Sequence, residues 1–514
     1  MRLFVLDFIS LLYLATFVHA KDFFYIYESD DWVKIATASI YKRDPNERLE
    51  NQFHQGAGPI IDKNRGEYHT DQYQLFSMIY YRALKDPRRT LDPSKATSFL
   101  IPYDFASDSA YYKNCARSAG VCYDFRRCPL APQVEKLLKD STWYQRRQGR
   151  DHVLIVGMNY AMDHYILKPK CKSLLSQTCS NCTKFAIDDY SYMYATQQGV
   201  INRGDYWHAI PFPSDFHWSS HVQSPFPWEH RDRPIIASYT GSEKSFYGPS
   251  RRLRQSIGHF CGLHPQHCVH RSYGLNGTRF SHKVDGHRPL QIAQQSVFCF
   301  QPTGDLMTRK GLFDSILQGC IPVVFDPLTA SVMYTWHWEE QFWHDVSIDL
   351  PFHPVAHRHM DPVQVLVDLY THNLSYIEHK QALIRSKVFE LQYGVDGYEE
   401  RYQYASKLPY VTVTSYKNNS SLDEVIQYMY RENPRNLTDE MVSHKGSSWP
   451  FVEAKGHGNN PVKSRMRDAY DIVMDYVLGW HSGTLTRFRN ATVPECWDGW
   501  LDTKANKCQL GVKP

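Results

Sequence analysis

The part of the chain richest in chemistry runs from Ser296 to Val323. An apolar run, Ser296 to Phe300, meets a turn containing Pro302 and Gly304. A segment led by Thr308, Arg309 and Lys310 follows, and after Gly319 comes a second apolar run, Ile321 to Phe325. Where such a loop enters a helix, free backbone N–H groups and the positive end of the dipole meet, and an anion is stabilised there. A hydroxyl and two cations at that end suit a diphosphate. One turn on, Asp314 is spaced to accept hydrogen bonds from vicinal ribose hydroxyls. An ordinary βαβ crossover with solvated charges produces the same pattern, so the pattern alone leaves both readings open.

Two other sets carry ligand-type side chains. Cys261, His264, His267, Cys268 and His270 superficially resemble a zinc set. In a secreted chain a Cys261–Cys268 disulfide with exposed histidines is the expectation, since the spacing allows short loop closure. His353, His357 and His359 fall in a proline-bounded stretch that reads as a surface loop. No Asp-x-Asp motif closes a strand. Neither a metal nor another cofactor is therefore expected, and diphosphate charge would be met by cations and a helix dipole.

These residues need a scaffold, and the apolar pattern supplies one. Asp22 to Tyr27, Ser98 to Pro102 and Asp151 to Gly157 read as buried strands, with a helix-period stretch from Asp71 to Leu84. Proline is dense over Ile210–His217 and Ser224–Trp228, which breaks helix and central strand alike and marks a domain boundary. The alternation then restarts. Pro234 to Tyr239 is a strand, Arg251 to Phe260 a basic helix, Ser296 to Phe300 a strand, Thr308 to Gln318 a helix and Ile321 to Phe325 a strand. A further helix is expected over Lys463 to Leu478. Strand, helix, strand at these spacings predicts two α/β units with mainly parallel sheets.

At 514 residues the chain has room for two domains, and a net charge of +4 gives no broad phosphate-neutralising surface for nucleic acid. Met1 and Arg2 lead into an apolar run, Leu3 to Val18, ending at Val18-His19-Ala20. Being shorter than the roughly 20 apolar residues of a spanning helix, it reads as a signal peptide cleaved after Ala20, with an uncleaved anchor as the alternative. Asn-x-Ser/Thr acceptors stand at Asn181, Asn276, Asn373, Asn418, Asn419, Asn436 and Asn490. The twelve cysteines include close groups (Cys115, Cys122 and Cys128; Cys171, Cys179 and Cys182; Cys496 and Cys508) that read as disulfides in an oxidising compartment. Cys299 and Cys320, inside apolar runs, read instead as buried thiols.

The Ser296–Val323 stretch resembles the signature of the exostosin family, in particular its plant xyloglucan galactosyltransferase-like branch. Gly66-Glu67-Tyr68-His69-Thr70, Asp86 to Thr90, Phe99 to Pro102, Ile210 to Pro213 with Phe216-His217, and Tyr334 to His337 extend the likeness over nearly the whole mature chain. The resemblance implies an α/β fold of GT-B type, two Rossmann-like domains facing a cleft. It implies an inverting enzyme of the Golgi lumen that moves a sugar, galactose first, from a UDP-sugar to a glycan or polysaccharide acceptor. Residues 1–20 would be the signal peptide or anchor, 21–228 the acceptor-side domain, 229–483 the nucleotide-sugar domain with closing helices, and 484–514 a disulfide-closed tail. Matching donor-side positions are Arg254, Gly304, Thr308, Arg309, Lys310 and Asp314, with Arg251 as the alternative register for the arginine. The chain departs from most relatives in starting its first strand within a few residues of the hydrophobic segment. That leaves two topologies: soluble in the secretory pathway after cleavage, or single-pass type II.

An inverting transfer also needs a base near the acceptor hydroxyl. Candidates at strand ends are Glu67, His69, Asp71 and Asp104. The rival reading keeps the fold without catalysis, as a glycan-binding partner subunit in a hetero- or homo-oligomer with another glycosyltransferase. The intact Thr308-Arg309-Lys310 and Asp314 set argues against it.

Overall fold

Short runs that are apolar throughout become strands covered on both faces. The computed structural model describes residues 23–40, 56–70, 74–109, 111–114, 121–124, 128–158, 169–188, 207–218, 233–243, 248–271, 289–304, 307–326, 329–331, 333–334, 337–394 and 468–482. Its strands in the first half are β1 (Phe23–Ile26), β2 (Ile60–Asp62), β3 (Glu67–Tyr68), β4 (Ala96–Leu100), β5 (Tyr111–Asn114), β6 (Val121–Asp124), β7 (His152–Ile155), β8 (Thr183–Ala186) and β9 (Trp207–Ala209). The second half holds β10 (Ile235–Thr240), β11 (Cys268–Arg271), β12 (Ser296–Gln301), β13 (Ile321–Val324) and β14 (Ile348–Asp349). Every residue of β7, β8, β12 and β13 is buried, as parallel strands between helical layers require.

Two five-stranded sheets result, in the orders β1-β4-β7-β8-β9 and β11-β10-β12-β13-β14. All neighbours within them are parallel. Two Rossmann-like α/β units were expected, and two are found. In the second sheet the strand order reverses between β10 and β12, the arrangement of a doubly wound sheet. A ligand crevice opens at such a reversal, outside the carboxyl ends of the two strands.

The proline-rich segment joins the units. Ile210, Phe212, Phe216 and Trp218 are buried in one continuous apolar cluster that also holds Phe24, Leu100 and Phe185 of the first unit and Phe298, Phe313 and Val323 of the second. Phe212 and Phe313 lie 5.9 Å apart across the seam. The helix Ala469–Ser482 packs back onto β4 of the first sheet, burying Val473, Met474 and Val477. The chain thus crosses between the units twice.

The expected helices at 71–84 and 463–478 are found as Leu75–Leu84 and Ala469–Ser482, and 308–318 shortens to Lys310–Ile316. Arg309 is extended, with φ −156° and ψ 145°, so the helix starts only after it. Strand β8 was not anticipated, because Lys184 sits in its middle. Its ammonium donates to the Ser180 and Cys182 carbonyls at 3.2 and 2.9 Å, which lets a cation occupy a buried strand. Among the described residues no helix is long and apolar enough to cross a membrane. The 1–20 segment, Asp71, the 484–514 tail with Cys496 and Cys508, and the acceptor asparagines other than Asn181 and Asn373 lie outside the described residues.

The cysteine expectations are partly corrected. Cys261–Cys268 is a disulfide, as the spacing predicted. Cys299 and Cys320 are not thiols but a disulfide with Cα atoms 5.8 Å apart. The crossover helix returns the chain beside its own strand, pairing Phe298 with Ile321 and Cys299 with Pro322, so residues in separate apolar runs become neighbours. Cys171 pairs with Cys128, and Cys179 and Cys182 remain buried thiols. Proximity in sequence misled there, because Cys171 is drawn across to the helix that follows Cys128.

Candidate active site

Both predicted arginines that survive as crevice residues lie at the reversal point of the second sheet. Arg309 donates from Nη2 to the Thr240 carbonyl at the carboxyl end of β10 at 3.1 Å and from Nη1 to Pro302 O just beyond β12 at 3.2 Å. Arg254 repeats the arrangement, with Nη1 on Ser242 O and Nε on Thr303 O, both at 2.8 Å. Each guanidinium therefore straddles the two loops that wall the crevice. Arg254 comes from the helix Gly248–Leu263, while Arg251 is exposed on the same helix. Arg309 also lies 5.6 Å from the Tyr239 ring centroid. Burial pushes its guanidinium down to about 10, so it stays charged at neutral pH. Gly304 is buried in the loop after β12.

Arg309 fits because its neighbour has no side chain. A Cβ on Gly311 would stand 2.9 Å from Arg309 Nη2 and 3.1 Å from Nε. Gly311→Ala should push the guanidinium off the crevice wall. The expected result is loss of the Arg309 bonds to the Thr240 and Pro302 carbonyls in a crystal structure of the variant, with the rest of the fold unchanged.

Thr308 and Lys310, on either side, do not join Arg309. Thr308 Oγ1 donates to Ile187 O, just past β8 of the first sheet, at 3.4 Å, and Tyr334 reaches the same carbonyl at 2.9 Å. Lys310 pairs with Asp314 at 2.9 Å and with Asp215 at 3.0 Å. Asp314 in turn takes hydrogen bonds at Oδ1 from Ser214 Oγ (2.7 Å) and Asp215 N (3.1 Å). Its carboxylate therefore faces the proline-rich seam, and a ribose would have to displace Lys310 to reach it. One anion is not met by all three, because Arg309 is extended and the helix begins only at Lys310, and along extended backbone successive side chains point to opposite sides.

The base candidates separate in the same way. Asp104 is 2% exposed, and both its oxygens serve as a helix cap, for Ser107 N at 3.0 Å and Ser107 Oγ at 2.6 Å. Glu67 is buried on β3 and paired with Arg65 at 2.8 Å. His69 is half-buried, its N–H on Pro59 O at 2.7 Å. Its own carbonyl passes 2.2 Å from where a Gly58 Cβ would stand, and Gly58 has φ +90°, so only glycine fits.

What the motif around Glu67 does is dock the seam. Tyr68 N donates to Asp215 O at 2.8 Å and His217 N to Gly66 O at 2.9 Å. His217 Nε2 lies 2.7 Å from Thr70 Oγ1, and Nδ1 donates to Tyr393 O at 2.7 Å. Burial holds this imidazole down to about 4, so it is neutral. Ser214 and Asp215 are the site residues that sequence reasoning missed. The available signal was a carboxylate inside an otherwise apolar, proline-rich joint.

The zinc-like set dissolves. Cys261 and Cys268 are joined to each other, His264 Nε2 bonds Asp361 at 2.7 Å, and His270 stacks on Tyr239 with centroids 5.3 Å apart. His353, His357 and His359 are exposed, and Arg252 lies 3.2 Å from His357 Nε2.

Two parallel sheets joined by a buried seam, with cations on a reversal-point crevice, define a two-domain α/β protein of the GT-B type. Residues 25–363 match the Exostosin GT47 domain, and the chain belongs to that glycosyltransferase family. It is similar to xyloglucan-specific galacturonosyltransferase 1 of Arabidopsis thaliana, 28% identical over 54% of this chain and 39% of that protein. It also resembles a probable xyloglucan galactosyltransferase of the same plant, 27% identical over 61% of this chain and 52% of the relative. Xyloglucan galactosyltransferase MUR3 of Arabidopsis thaliana is 26% identical over 55% and 44%. The chain thus spans about half the length of these curated relatives. Among solved structures, the GtfA/B complex aligns with 52% of this chain and 58% of that chain, at 10% identity and a TM-score of 0.28. The pneumococcal O-GlcNAc transferase GtfA in complex with UDP and GlcNAc aligns over the same shares at 8% and 0.27.

Proposed function

We propose that this chain is an inverting glycosyltransferase of the secretory pathway, acting in the Golgi lumen. It transfers a sugar, galactose as the leading choice, from a UDP-sugar to a glycan or polysaccharide acceptor. The observation that carries the reading is the pair Arg309 and Arg254, each straddling the two loops at the reversal point of the second sheet. A diphosphate in that crevice meets two fixed cations, which stabilise the leaving group as its charge grows. The first unit then presents the acceptor across the seam. Names of the plant relatives point to galactosyl or galacturonosyl transfer onto xyloglucan.

The test is purified protein from a eukaryotic host, incubated with UDP-galactose, UDP-galacturonic acid, UDP-xylose, UDP-arabinose and UDP-glucuronic acid, with and without xyloglucan oligosaccharides. Release of UDP and a mass gain of one sugar on the acceptor are expected with UDP-galactose. A folded chain that binds no UDP by calorimetry and moves no sugar defeats the reading.

A further inference from the structure

Asp215 has one carboxylate oxygen held and one open. Thr70 N–H donates to Oδ1 at 3.2 Å, and Lys310 Nζ sits 3.0 Å from the same oxygen. Among the described residues nothing hydrogen-bonds Oδ2, and the side chain is 36% exposed. Its backbone is fixed at both ends, N–H on Asp314 and C=O under Tyr68 N–H. Fixing one oxygen while leaving the other accessible is what a proton acceptor needs, since the carboxylate is aimed without being neutralised by a second donor. The location fits as well. Asp215 lies on the seam between the units, and Lys310, its partner, directly follows Arg309 of the crevice.

We propose that Asp215 is the general base of the transfer, an inference that rests on the glycosyltransferase reading above. Oδ2 takes the proton of the acceptor hydroxyl as that oxygen attacks the anomeric carbon. The new glycosidic C–O bond forms while the bond from C1 to the diphosphate oxygen breaks. The electron pair leaves with the nucleoside diphosphate, and the proton passes from Asp215 to solvent. Lys310 orients the carboxylate, and Asp314 shares the charge of Lys310 so that Asp215 keeps its basicity.

The protonation balance agrees with this role. Partial burial in the seam raises the Asp215 carboxyl, Lys310 lowers it, Asp314 raises it again, and it comes to rest at about 6. The charged groups acting on it are Lys310 and Asp314 on the facing helix; the segment below contributes the uncharged Thr70 amide. The base is ionised above that value, so turnover should climb between about pH 5 and 7 and then level.

The experiment uses the full chain with Asp215→Asn and Asp215→Glu, UDP as the binding probe and the donor that the wild type accepts. Asp215→Asn should keep UDP affinity and lose turnover by about 10²–10⁴-fold, with the acidic limb of the pH profile gone. Asp215→Glu should retain that limb at reduced kcat, because the charge is present but displaced. If Asp215→Asn proves unfolded, the glutamate variant decides: wild-type kcat in it overturns the proposal. Near-normal kcat in Asp215→Asn, beside an active wild type, overturns this proposal alone. A wild-type chain that neither binds UDP nor moves sugar overturns the transferase reading and this proposal with it.

Discussion

Replacing Arg309 or Arg254 by alanine is expected to weaken UDP binding and slow transfer together, each roughly ten- to a hundredfold. A charge-assisted contact is worth about 1.5–3 kcal/mol, and the diphosphate gains charge as the sugar departs, so part of the loss falls on kcat. A simpler explanation of any loss is that the loops loosen, since both guanidiniums also bond backbone carbonyls of the crevice. The lysine variants separate the two. Lysine keeps the charge and loses the planar fork, so it cannot hold both loops. Recovery of UDP affinity in Arg309→Lys assigns the loss to charge, whereas a defect as deep as alanine's assigns it to loop geometry. Gln255→Ala, exposed on the helix that carries Arg254, is the control and should change neither quantity. If both alanine variants stay folded and bind and turn over as wild type does, the nucleotide does not lie at the reversal point.

The architecture was legible in the sequence because parallel strands buried on both faces leave unbroken apolar runs, as in Ser296–Gln301 and Ile321–Val324. β8 escaped because Lys184 interrupts its run, and the carbonyls of Ser180 and Cys182, with the Trp207 ring, make that cation tolerable. The site was half legible. Thr308, Arg309 and Lys310 announced themselves as a cluster, yet rotation along the chain sends one to the first sheet, one to the crevice and one to a carboxylate pair. Nothing local distinguishes those fates. Asp215 acquires its meaning from Lys310 and Asp314, residues of the other unit, and Cys299 finds Cys320 only once the crossover has folded. Sequence pattern reports burial well; it reports partners poorly.

The second large effect concerns the return of the chain to its first unit. Arg82, on the helix Leu75–Leu84, is 7% exposed and donates from Nη1 to Asp468 Oδ2 at 2.7 Å and to Gly394 O at 3.0 Å. Asp468 Oδ2 also accepts from Gly394 N at 2.8 Å, Asp471 lies 3.5 Å from Arg82 Nη2, and the guanidinium sits 4.8 Å from the Tyr470 ring centroid. Burial opposes the charge on Arg82, but Asp468 and Asp471 outweigh it and hold its pKa above the usual range. Arg82→Met strands a buried carboxylate without its cation, at a cost of about 3–5 kcal/mol. Asp468→Asn strands the cation and is expected to cost a similar amount. Chemical denaturation should show both, together with faster proteolysis of the Ala469–Ser482 helix where it leaves β4. The double variant Arg82→Met/Asp468→Leu removes both charges and should recover much of the loss, since an apolar pair of similar volume replaces an ion pair at little net cost. Single variants within about 0.5 kcal/mol of wild type would mean that solvent reaches the pair and that the C-terminal helix is held by its apolar face alone.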